Sequence, residues 1–148
     1  MGSEGTLGVV TEATLAVRRA PSAVAHGAFA FETFRGGLEA VRRVAQEELH
    51  PAVMRLYDEA DVGIAFRDAA ERPDGSLMIL RFEGDAIAPE EERAVRALVV
   101  STGGRDLGPG LAERWWEHRN DAVGTFRQIM VGGMLGPAAA VDTMEVAG

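Results

Sequence analysis

SLMILRFE, residues 76–83, is the clearest strand in the chain. Leu80 and Phe82 alternate with Arg81, so one set is expected to face a core and the other solvent or a missing partner. Pro73-Asp74-Gly75 just before it is a turn, because these residue types favour tight backbone reversal. Upstream of the turn, AVMRLY (52–57) reads as another strand and residues 58–70 as a short helix. Downstream, Pro89 suits a first helical turn, where its missing N–H costs little, and Glu90, Glu91 and Glu92 suit the positive helix end as a solvated start. Val95, Leu98 and Val99 give that helix its apolar stripe, Gly103-Gly104 ends it, and residues 105–107 read as a short strand. Residues 111–120 and 122–131 look helical, 132–137 form a loop, and 141–146 look extended.

Towards the N-terminus, residues 24–31 read as a strand. Thr33 can cap a helix beginning near Arg35, with Leu38, Val41, Ala45 and Leu49 at helical spacing and His50-Pro51 as its stop. From residue 24 onward the order is therefore β-α-β, a short helix, then β-α-β. That is the split βαβ order of an α+β ferredoxin-like sandwich, an antiparallel sheet with helices on one face. A further strand is expected at 9–17, with Val9, Thr11, Ala13, Leu15 and Val17 on one side. Arg18-Arg19-Ala20-Pro21-Ser22 breaks it and gives the best domain boundary, dividing residues 1–20 from 21–148.

Composition removes several functions. The 148 residues suffice for one sizeable core. The chain has no cysteine, which excludes thiol catalysis, thiolate metal sites and disulfides here. It fits a reducing compartment, and the cytoplasm is the expected location. All 15 basic side chains are arginine, so neither a phosphate-loop nor a Schiff-base lysine exists. A net charge of −8 offers no basic face for nucleic acid. No apolar run reaches the roughly 20 residues of a membrane span. His26, His50 and His118 show no metal-ligand spacing. Trp115 and Trp116 diverge on one helix, so one is expected in the core and the other as a half-exposed lid or interface residue. Arg55, flanked by Met54 and Leu56 in a strand, needs an anionic partner. By itself it reads as an ion pair with Asp58 or a helix carboxylate.

The segment MGSEGTLGVVTEATLA (1–16) resembles the GSEGTLG(V/I)(V/I)TEA signature of flavoproteins of the vanillyl-alcohol oxidase type, a family of D-lactate and glycolate dehydrogenases and alkyldihydroxyacetonephosphate synthases. Phe31-x-x-Phe34 with Gly37, then Pro51-Ala52-x-x-Arg55-Leu56-x-Asp58, Phe82-Glu83-Gly84 and a tryptophan-rich helix around Trp115 resemble the synthase branch. By itself the glycine loop reads as a tight turn or as backbone able to approach a bulky cofactor. The resemblance implies the second: Glu4, Gly5, Thr6, Leu7, Gly8, Val9 and Val10 would lie along FAD, and Arg55 would face flavin or substrate.

The same resemblance implies that residues 1–20 are the edge of an FAD-binding domain, a loop and strand that precede an incomplete substrate cap domain at 21–148. The family's pyrophosphate loop would lie upstream, and its catalytic tyrosine and histidine cluster downstream. No catalytic residue and no metal ligand is then expected in this stretch, which alone would be inactive. The expected parent is an FAD-dependent oxidoreductase or alkylglycerone-phosphate synthase-like enzyme acting on a small hydroxy acid or an acyl-glycerone-phosphate-like substrate. Its partners are that small-molecule substrate and the remainder of the flavoenzyme, with a homodimer left open. The rival expectation is a free-standing ferredoxin-like module that binds a ligand or dimerises.

Overall fold

The computed structural model describes residues 5–84 and 89–120. The elements follow in the order β1 (Ala23–Phe31), α1 (Phe34–Gln46), β2 (Val53–Tyr57), α2 (Glu59–Ala65), β3 (Ser76–Gly84), α3 (Pro89–Ser101), β4 (Arg105–Asp106) and α4 (Gly110–His118). The four strands form one sheet in the order β2-β3-β1-β4, and every neighbouring pair is antiparallel. This is the expected ferredoxin-like arrangement. SLMILRFE lies in its interior, paired along its length with β1 and over Leu77–Arg81 with β2.

One face of the sheet carries α1 and α3. Phe29 and Phe31 of β1 and Met78, Leu80 and Phe82 of β3 pack there against Ala40 and Val44 of α1 and Val95 and Val99 of α3. The other face is not left to solvent. Ala28, Tyr57, Leu77 and Ile79 bury against Val62 and Phe66 at α2 and against Leu111 and Ala112 of α4. The one-sided layer read from the sequence is thus completed by two further helices. Period-2 alternation cannot show this, because β3 is apolar on both sides and is buried from Ser76 to Phe82.

The turns follow from side-chain and backbone chemistry. Thr33 caps α1, its Oγ1 accepting from the Gly36 N–H at 3.2 Å. Asp58 caps α2 in the same way, its Oδ1 accepting from the Asp61 N–H at 2.8 Å. α1 ends at Gln46, before the His50-Pro51 pair expected to stop it. The Glu48 N–H bonds the Ala45 carbonyl and the Leu49 N–H bonds the Val44 carbonyl, and Glu48 has φ 54°. That is a Schellman ending with glutamate where glycine is usual, closed by Leu49 folding back onto the core. Gly75, at φ 81°, lets the chain pass against the Phe31 carbonyl where a Cβ would collide with it.

The strand expected at 9–17 does not form. Residues 8–21 run without hydrogen-bonded secondary structure, and Leu7, Val9, Val10, Leu15 and Val17 are 72–89% exposed. A strand is defined by its neighbour, and no described strand lies beside this one. The helix expected at 122–131, the loop at 132–137 and the extended segment at 141–146 lie outside the described residues.

Candidate functional site

Register places the polar groups of the second sheet face in rows. Tyr57 lies across from Leu77, Arg55 from Ile79, and Val53 and His26 flank Arg81. The face therefore grades from an apolar end under α2 and the start of α4 to a cationic end under the later part of α4. α4 runs from the buried Leu111 and Ala112 to the half-buried Trp115 and Trp116.

Arg55 is half-buried, with its guanidinium 4.9 Å from the Tyr57 ring centroid and 5.8 Å from that of Trp115. The Trp115 indole N–H donates to the Tyr57 hydroxyl at 2.5 Å, which locks both rings beside Arg55. Burial pushes the Tyr57 phenol above its usual 10, against the nearby Arg55 charge and the Trp115 bond, so the hydroxyl stays protonated. The ion pair considered for Arg55 is absent among the described residues: Asp58 spends its carboxylate on the α2 cap. The result is a cation stacked on aromatic rings with no carboxylate among the described residues to neutralise it, a group able to take an anion.

Trp115 and Trp116 divide as the helical spacing suggested, although both are half-buried. Trp115 joins the second core beside Arg55, and Trp116 covers Arg81. Sequence reading missed the group around Trp116, formed by His26, Arg81 and Arg119. The available signals were Arg81 in an otherwise apolar strand and the i, i+3 spacing of Trp116 and Arg119 on one helix face.

The loop residues are placed as follows. Glu4 lies outside the described residues. Gly5 and Gly8 have φ of 82° and 153°, and a Cβ built at either would meet nothing within 4 Å. Thr6, Leu7, Val9 and Val10 are exposed. The contacts of Arg55 are with Tyr57 and Trp115, so the structure does not join the loop to Arg55.

His50 is exposed, and its backbone N–H donates to Glu91 at 2.9 Å. Glu92 pairs with Arg96 at 2.7 Å, so the acidic start of α3 ties down neighbours as well as meeting water. Among the described residues no group of acids and histidines is placed to hold a metal, and no helix is long and apolar enough to cross a membrane.

A ferredoxin-like domain with a guanidinium-and-indole face, preceded by an exposed glycine loop, is the class these features define. The chain belongs to the family of FAD linked oxidases, C-terminal domain, whose family model matches residues 20–147. It is 38% identical over 66 residues to an alkyldihydroxyacetonephosphate synthase of Dictyostelium discoideum, covering 45% of this chain and 11% of that protein. The corresponding synthase of Caenorhabditis elegans is 43% identical over 58 residues, 39% of this chain and 10% of that one. A mitochondrial D-lactate dehydrogenase [cytochrome] of Saccharomyces cerevisiae is 37% identical over 59 residues, 40% of this chain and 10% of that protein. A solved alkyldihydroxyacetonephosphate synthase superposes with a TM-score of 0.69 at 25% identity, over 88% of this chain and 28% of the other. The chain thus spans about a tenth of the curated relatives it matches and 28% of the solved chain.

Proposed function

We propose that this chain supplies the cap-domain core and one flavin-contacting loop of a larger FAD-dependent enzyme. Its substrate class is a small hydroxy acid or an acyl-glycerone-phosphate-like molecule. The observation that carries the reading is Arg55, without an ion pair among the described residues and held by Tyr57 and Trp115 on one face of a domain whose family is one of FAD linked oxidases. Both substrate classes are anions, and a guanidinium stacked on aromatic rings is pre-oriented to meet one.

The segment before the domain supports the same reading. Its glycines leave backbone N–H groups approachable, and its exposed apolar side chains at 7–17 suit burial against a further sheet. Thr6, Leu7, Val9 and Val10, between and beside Gly5 and Gly8, would form one wall of the FAD site, with Glu4 at its start. FAD, when bound, supplies the redox chemistry. This chain's own residues position and bind: the loop lines the cofactor, and Arg55 orients the anionic end of the substrate.

The remainder of the site would come from the rest of the parent, and the 148 residues alone would not turn over substrate. The lack of cysteine supports a reducing compartment such as the cytoplasm. The free-standing module leaves the exposed apolar segment 7–17 without a purpose. An in-frame pyrophosphate-loop sequence upstream would distinguish the two readings.

The test is Gly5→Val in the full-length parent. A branched side chain at φ 82° forces the loop to rearrange where backbone must approach the cofactor. The purified variant should lack the flavin absorbance band. A yellow variant with full occupancy would defeat the assignment of the loop.

A further inference from the structure

Arg81 is a cation only 7% exposed, in the middle of a sheet. Its Nε pairs with Glu83, and its Nη1 lies 2.7 Å from the His26 Nε2 on the adjacent strand. Its guanidinium carbon is 3.5 Å from the Trp116 ring centroid. The guanidinium carbon of Arg119 is 3.3 Å from the same centroid, and its Nη1 donates to the Trp116 carbonyl. Two guanidinium groups cannot both occupy contact distance above one ring face. The indole is therefore clamped between them, with Arg81 on the sheet side and the exposed Arg119 beyond.

We propose that Arg81 is the positioning residue of this face. Pinned by Glu83 and His26, it fixes the plane of Trp116 and through that ring holds Arg119 outward, with neutral His26 as the latch. The inference rests on the reading of this face as the substrate-facing one.

The latch follows from hydrogen-bond chemistry. Arg81 can only donate, so His26 must accept at Nε2 and must be unprotonated there. A protonated imidazole would turn a donor towards a donor and add a third cation to a group with one paired carboxylate. The charged groups facing His26 are Arg81 and Glu83 from β3 and Glu113 from α4, while Arg96 of α3 donates to its backbone carbonyl at 2.7 Å. Burial, and then Arg81, hold the His26 pKa below the usual 6.5, and Glu113 and Glu83 oppose the shift. With the folded value below the unfolded one, the closed clamp is fully present above about pH 6.5 and is lost as pH falls through the depressed value.

The test uses the 148-residue chain labelled with 5-fluorotryptophan, which gives one fluorine resonance for each of its two tryptophans. Trp115→Phe assigns them. Between about pH 8 and about pH 5 the Trp116 resonance should step, with a midpoint below 6.5, while that of Trp115 stays in place. His26→Gln keeps an acceptor for Arg81 without a titrating group. It should hold the Trp116 resonance at its high-pH position throughout, whereas His26→Ala should shift it at every pH. Arg81→Leu should also shift it at every pH. If that variant fails to fold by circular dichroism, Arg81→Lys, which keeps the charge but not the planar stack, should shift it too. A step that survives in His26→Gln, or a Trp116 resonance unmoved by loss of the Arg81 guanidinium, would overturn the proposal. No flavin enters the experiment, so its failure would leave the Gly5→Val test of the loop standing.

Discussion

Leu80→Ala tests the sheet register directly. Leu80 is fully buried on β3, and across the two flanking strands it faces Met54 and Gly27. Gly27 has no side chain to move into the space, and a Cβ there would already crowd Phe29 and Arg96. The cavity between Leu80 and the α1–α3 layer should therefore collapse poorly. The cost should lie in the upper half of the about 2–5 kcal/mol seen for buried leucines. For a domain of this size a melting temperature moves roughly 4 °C per kcal/mol, which gives a fall of about 14–20 °C. Against a total stability of about 5–15 kcal/mol the variant should still fold at room temperature. Thermal melts and urea titrations by circular dichroism measure it. Leu38→Ala on α1, where the side chain is 52% exposed, is the control and should cost no more than about 0.5 kcal/mol. Equal melting of both variants would refute the reasoning, since the two leucines differ chiefly in burial.

Glu48→Gly should raise stability by about 0.5–1 kcal/mol, because a left-handed φ of 54° costs a residue with a Cβ more than it costs glycine; a lower urea midpoint would argue against the helix ending described. Gly75→Ala should lose more than about 1 kcal/mol, and more than Gly103→Ala, since both have positive φ but only Gly75 would drive its Cβ into a carbonyl. Equal losses in urea titrations would show that the collision relaxes freely. In the full-length parent, Arg55→Ala should keep the flavin but depress kcat/KM at least tenfold, about 1.4 kcal/mol of lost transition-state binding. Unchanged steady-state turnover would remove Arg55 from the site. The isolated chain should bind FAD weakly or not at all in an absorbance titration, because on the proposed reading the loop would be only one wall of the site; tight binding would mean that the chain holds most of it.

Much of the fold was legible because its signals are local. Thr33 and Asp58 announce helix starts through a side-chain oxygen placed three residues before an N–H. SLMILRFE read as the clearest strand, and the β-α-β, β-α-β order gave the ferredoxin-like sheet in which it pairs antiparallel. The glycine loop was legible through its resemblance to a family signature, and the family followed from the same residues. What only the tertiary structure decided was which groups meet across sequence distance. No local pattern could show that α4 would close the second face of the sheet, because the energy that places it there is burial of Leu111 and Ala112 against residues 28–79. Nor could it show that, with Asp58 capping α2, no described carboxylate pairs with Arg55. The stacking of Arg81, Trp116 and Arg119 depends on a β1–β3 register and a helix crossing at once. The strand expected at 9–17 marks the opposite limit: its alternation is visible in sequence, but a strand takes its hydrogen bonds from a neighbour, and no described strand of this fold supplies them.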